Sequence, residues 1–141
     1  MDDVDRLVAV HAITQLKARY FRCLDTKDWD GFAAVFAPDA VMDMQDEAGA
    51  VVEGAEAIAA FVADSVDGVV TVHHGHMPEI TVDSPTEASG TWAMEDLLQW
   101  PEGAPLGSMH GFGHYHERYV CLDGRWHIAH LRLSRLRRDF A

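Results

Sequence analysis

The chain has 141 residues, 48% of them hydrophobic and 24% charged, a size and composition suited to one domain over residues 1–141 with a sizeable core. Its 23 acidic residues against 11 basic ones leave a net charge of -12, which argues against nucleic acid and anionic membrane surfaces as partners. The basic residues are confined to the two ends of the chain: none lies between Lys27 and Arg118.

The first residues are acidic and lack the apolar stretch of a secretory leader, so a cytoplasmic location is expected. No apolar run is long enough to span a membrane. Cys23 and Cys121 are expected to be reduced rather than bridged. Leu7, Val10, Ile13, Leu16, Tyr20 and Leu24 recur at spacings of three and four, which predicts a long amphipathic helix over residues 4–25. Asp28 reads as the N-cap of a short second helix whose apolar face is Trp29, Phe32, Val35 and Phe36 and which Pro38-Asp39 ends. Short strands at 41–44 and 51–52 flank an acidic turn at 46–49. A third helix follows over 53–66, with Ala57, Ile58, Phe61 and Val62 inward.

After Gly68 the period changes to two. Strands are predicted over 69–83, 87–100, 110–122 and 125–136. A turn at 84–86, a Pro/Gly loop at 101–107 and a two-residue Asp123-Gly124 hairpin separate them. Helices followed by an antiparallel sheet indicate an α+β domain, with the sheet curved around the long helix and enclosing one pocket.

Several residues break the local pattern. His73, His74 and His76 fall within one strand, and histidine titrates near neutrality, which suits proton transfer or metal ligation. Alternation puts His74 and His76 on one face and His73 on the other. Asp25 closes the first helix, where a carboxylate opposes the macrodipole; on the residues alone the reading as an aspartate of the helix-to-helix turn is the favoured one. Asp96 interrupts an apolar face made by Trp92, Met94, Leu98 and Trp100, so it either looks into a cavity or is turned out by a bulge. Tyr20 lies on the apolar stripe of the first helix, the usual place of a core tyrosine. Arg135 falls opposite Trp126 unless a bulge intervenes. His110, His114 and His116 share a face, and Gly111 and Gly113 suggest crowded backbone or a bulge beside a ligand. A metal-binding reading is open too: His74-x-His76 with Glu79 nearby, then Pro105-x-Gly107-x-x-His110 with His114, is similar to the paired motifs of cupins. The helical first half argues against that all-β fold.

Tyr20-Phe21-Arg22-Cys23-Leu24-Asp25 followed by Trp29-Asp30 resembles the first-helix segment of SnoaL-like proteins in the NTF2-like superfamily. The match continues at His73-x-Gly75-His76-x-Pro78-Glu79-Ile80-Thr81, at Gly90-x-Trp92 and Glu95-Asp96, and at Tyr119, Gly124-x-Trp126-x-Ile128 and Arg135. Within that superfamily the chain resembles bile-acid 7-alpha-dehydratases and, more distantly, scytalone dehydratase and hexachlorocyclohexane dehydrochlorinase. The resemblance implies a cone-shaped α+β barrel with a deep pocket, working without metal or organic cofactor. It implies His73 as base with Asp25 orienting it, Tyr20 as acid or hydrogen-bond donor, Arg135 as an active-site arginine and Asp96 as a pocket carboxylate. His74 and His76 become structural or rim residues.

The expected activity is elimination of water from a hydrophobic hydroxylated carbonyl compound, steroid- or polyketide-like, with Trp92, Met94, Leu98 and Phe112 as apolar walls and His110 and His114 at the pocket mouth. A ketosteroid-isomerase-like activity and a non-catalytic binder are the alternatives on the same fold. A homo-oligomer is expected, a trimer or alternatively a dimer.

Overall fold

The computed structural model covers Met1–Ala141. Its elements in order are α1 (Asp3–Asp25), α2 (Trp29–Val35), β1 (Phe36–Met44), β2 (Ala50–Glu53), α3 (Ala55–Ser65), β3 (Val70–Ser84), β4 (Glu87–Gln99), β5 (Ser108–Leu122) and β6 (Arg125–Phe140). The Asp2 carboxylate accepts the Asp5 amide at 2.8 Å, one half of a capping box that starts α1. Lys27, at φ 61°, turns the chain out of that helix, and the Asp28 carboxylate caps α2 by accepting from the Gly31 amide at 3.0 Å.

The junction of the second helix with the first strand differs from expectation. The second helix ends at Val35, and Pro38-Asp39 lies inside β1. The pairing of β1 with β6 slips there, between Phe36 and Val41, so the missing proline N–H interrupts no regular ladder. In α3 the inward residues are Ile58 and Ala59, with Phe61 and Val62 half-buried, while Ala57 faces out.

The strands form one six-stranded sheet in the order β2-β1-β6-β5-β4-β3. Neighbours are antiparallel except β1 and β6, which run parallel. The sheet curves over α1 but does not close, leaving β2 and β3 as edges; this single sheet against a long first helix is an α+β cone and not the two-sheet jelly roll of a cupin. Asp123 and Gly124, both at positive φ (50° and 78°), make the β5–β6 hairpin. Both cysteines are free, Cys23 buried and Cys121 half-buried. No helix is long and apolar enough to cross a membrane.

One charged pair sits wholly inside the core. Lys17 of α1 donates to Glu117 of β5 at 2.6 Å, and neither side chain is exposed (0% each). Tyr119 donates to the other Glu117 oxygen at 2.7 Å, and Trp92 Nε1 donates to the Tyr119 hydroxyl at 2.8 Å. The Lys17 ammonium also lies 3.6 Å from the ring centroids of both Tyr20 and Tyr115. Burial pulls the lysine down to about 8, against the pull of Glu117 in the other direction.

Candidate active site

Asp25 and His73 come together where the end of α1 meets β3. His73 Nδ1 lies 2.7 Å from Asp25 Oδ1. The same carboxylate accepts the His73 amide at 2.8 Å and the Thr71 hydroxyl at 2.9 Å, and Lys27 Nζ donates to the Thr71 oxygen at 2.7 Å. These donors, with the nearby ammonium, offset the unfavourable position of a carboxylate at a helix C-terminus. An ionised carboxylate only accepts, so the proton of a neutral His73 ring is assigned to Nδ1. Nε2 is then the free nitrogen. It has no protein partner, yet no fully buried side-chain nitrogen or oxygen is unsatisfied, so Nε2 keeps access to open space. The His73 side chain is 10% exposed and Asp25 22%.

His73 lines a cavity of about 230 Å³ together with Tyr20, Asp96, Leu98, Tyr115 and Arg135. The remaining wall is mainly apolar: Leu24, Met42, Met44, Phe61, Val62, Val66, Leu131 and Leu133. Tyr20 and Tyr115 pack edge-to-face, with centroids 5.8 Å apart. Burial first, then the Glu117 charge, pushes Tyr20 well above the ordinary phenol value. Burial raises Tyr115 in the same way. Both therefore stay protonated and can donate.

At the other end Arg135 makes a forked pair with Asp96, 2.6 Å from Nη1 to Oδ1 and 2.9 Å from Nη2 to Oδ2. Its Nε donates to Glu47, whose second oxygen takes Arg138. Burial pulls the guanidinium down, but Asp96 and Glu47 outweigh it, so the net shift is upward. Three of the five guanidinium N–H groups are engaged, leaving two. The bulge that alternation required is present: β5 pairs Arg118 with His130 and Tyr119 with Ile128, which leaves Ala129 extra. Beyond it Leu131, Leu133 and Arg135 face the cavity. Gly111 is where the fork comes closest to backbone, since a Cβ there would collide with Arg135 Nη1 and Asp96 Oδ1.

Other expected pocket residues lie elsewhere. Trp92 and Met94 are buried on the inner face, but they pack in the core beside the cavity, Trp92 bonded to Tyr119. His110, Phe112 and His114 point away from the cavity. They lie on a strand, as expected, which runs from Ser108, but on its outer face. The inward positions of β5 are Met109, Tyr115, Glu117 and Tyr119, all buried, and alternation sends the even-numbered residues out. His74 and His76 are outside as well. On that outer face Glu95 takes His110 Nε2 at 2.7 Å, His76 Nε2 at 3.2 Å and His74 Nδ1 at 3.5 Å. Hydrogen bonding by His110 and His76, with help from His74, holds the Glu95 carboxyl down at about 2. Tyr115 and Glu47 were missed from sequence. Tyr115 was in reach, because it faces opposite to His114 and His116; Glu47 sits in a turn that gave no signal beyond acidity.

The family model of the SnoaL-like domain matches residues 5–132. The chain belongs to the SnoaL-like family. Among curated proteins this SnoaL-like chain is 27% identical over 139 residues to the probable cyclase FGR4 of Gibberella zeae, covering 91% of each sequence. Among solved structures it superposes on a candidate scytalone dehydratase from Novosphingobium aromaticivorans with a TM-score of 0.88, at 20% identity over 99% of this chain and 92% of the other. It superposes on the hexachlorocyclohexane dehydrochlorinase LinA-type3 from Novosphingobium barchaimii with a TM-score of 0.87, at 21% identity over 99% and 94%. At these identities the two structures speak for the NTF2-like cone alone.

Proposed function

We propose that this SnoaL-like domain is a cofactor-independent lyase that eliminates water from a hydrophobic, ring-sized hydroxylated carbonyl compound. The observation that carries the reading is His73 at the wall of an apolar cavity, held through Nδ1 by Asp25 and with Nε2 free. Nε2 takes the proton from the carbon next to the carbonyl, and the electron pair of that C–H bond moves into the enolate. Tyr20 donates a hydrogen bond to the enolate oxygen, which it can do because it remains protonated. The enolate then expels the hydroxyl group, and the imidazolium returns its proton to it as water. Asp25 fixes the tautomer and stabilises the imidazolium, as the carboxylate of a catalytic triad does. Asp96 and Glu47 hold Arg135 at the far end, where its two remaining N–H groups can bind an oxygen of the substrate.

A cavity of about 230 Å³ is below the roughly 300–1,000 Å³ of most ligand pockets. One- or two-ring polyketide-like substrates suit it better than a four-ring steroid, unless the turn carrying Glu47 opens. The same enolate could attack an internal carbonyl, the outcome named for the Gibberella relative, and product analysis separates the two. The test is a panel of β-hydroxy ketones followed by absorbance of the conjugated product. Turnover is expected in the wild type and abolished in His73→Ala, with the circular dichroism spectrum unchanged. Equal turnover in His73→Ala, or none by the wild type across the panel alongside measurable ligand binding, overturns the lyase reading in favour of another base or a binding protein.

Exposed Val70, Val72 and Leu97 on the outer sheet face favour assembly into a homotrimer, with a dimer as alternative. A monomer by light scattering at micromolar concentration refutes both.

A further inference from the structure

The outer face of the sheet carries a cluster that the dyad does not use. We infer that His74, His76 and Glu95 form a binding site for a divalent transition-metal ion of the zinc type, with His110 holding the second carboxylate oxygen of Glu95.

The placement follows from the strand register. His74 and His76 are two residues apart on β3, so both project outward, and His74 pairs directly with Glu95 of β4. His110 of β5 pairs with Leu97 and so reaches Glu95 on the diagonal. The donor atoms of His74, His76 and Glu95 all lie within 4.8 Å of one another. In a tetrahedral zinc site with ligands about 2.0–2.1 Å from the ion, neighbouring donor atoms are about 3.3 Å apart. The His76 Nε2 and His74 Nδ1 distances to Glu95 Oε1, 3.2 and 3.5 Å, already bracket that edge. Two imidazoles and a carboxylate are a zinc-type donor set that leaves the fourth position for water. His110, 2.7 Å from Oε2, supplies the partner that commonly orients a ligating carboxylate. His74 and His76 are 53% and 54% exposed, so an ion reaches them without any opening of the fold. The site lies across the sheet from the Asp25–His73 pair and is independent of the proposed reaction.

The test is isothermal titration of Zn²⁺ into chelator-treated full-length protein, repeated with Co²⁺ while recording its visible absorption. One ion per chain is expected, with the intense bands of tetrahedral Co²⁺ coordination. His76→Ala and Glu95→Gln should each weaken binding at least about tenfold, and His110→Ala by about tenfold, in line with loss of an outer-shell partner. His127→Ala, on the distant β6, should leave it unchanged. No saturable binding by the wild type, equal affinity in the wild type, His76→Ala and Glu95→Gln, or the weak bands of octahedral Co²⁺ would each overturn the site.

Discussion

Two pairs of a basic side chain with a carboxylate tie α1 to the sheet, and their surroundings decide what each can do. Lys17–Glu117 is enclosed completely, with Tyr119 and the two aromatic faces occupying what surrounds it. Asp25–His73 is as tightly bonded on one side but leaves a ring nitrogen unbonded at a cavity. The first pair has no route to a substrate, so its charges only brace the core. The second keeps one proton-accepting atom free while the rest of the pair is fixed. The proposed chemistry depends on that one unbonded nitrogen: Lys17–Glu117 is sealed in the core, whereas His73 and Asp25 keep 10% and 22% of their side chains exposed.

The largest effect that would sharpen the contrast is on stability. Lys17→Met leaves Glu117 buried and unpaired, and should cost about 3–5 kcal/mol in denaturant unfolding. Adding Glu117→Gln, which removes that charge and keeps an acceptor for Tyr119, should recover most of it. A loss below about 1 kcal/mol for the single variant would mean that the core tolerates the bare carboxylate, and the contrast would fail. Asp25→Asn should do the opposite: melting little changed, kcat/KM reduced roughly a hundredfold or more. A melting loss without a rate loss would move Asp25 into the same class as Lys17.

The smallest effect concerns pH. Lys17 titrates at about 8 in the folded chain against an ordinary 10.5. Between those values the unfolded chain holds a proton that the folded chain has released, so stability contributed by this group rises with pH. Relative to Lys17→Met/Glu117→Gln, the wild type should gain up to about 1 kcal/mol per unit from pH 8 to 10. A flat difference would show that Lys17 keeps its proton throughout.

The contrast between the two pairs was only half legible in the sequence. α1 was clear because its apolar spacing and its acidic start agree. Alternation along β3 separated His73 from His74 and His76, but that His73 is the one facing in, like the role of Asp25, came from the resemblance. Lys17 was invisible: a lysine near an apolar stripe looks like a solvated one until Glu117, a hundred residues on, is seen beneath it. Arg135 could not be oriented because the extra residue at Ala129 leaves no mark on hydropathy. His110, Phe112 and His114 lie outside because the buried odd-numbered positions Met109, Tyr115 and Tyr119 face in, and the two-residue period alone does not say which face of β5 is the inner one. The walls from β1 and α3, including Met42, Met44, Phe61 and Val62, depend on how the sheet curls, which local periodicity does not encode.

The parallel pairing of β1 with β6 also has a bearing on how the chain assembles. Phe36 pairs with Ile128, partners roughly ninety residues apart, whereas β3 to β6 join neighbour to neighbour through short connections or one loop. Contacts so distant form late, because loop closure must precede them. The meander of β3 to β6 can gather α1 first, bringing Asp25 against His73, while the wall supplied by β1 and the turn bearing Glu47 arrives last. On a ribosome that last step waits for the final strand, so the Asp25–His73 contact would exist before there is a chamber around it. Pulse-labelled refolding should find the amides of β1 protected after those of β3 to β5; simultaneous protection would mean that the two halves of the cone close in a single step.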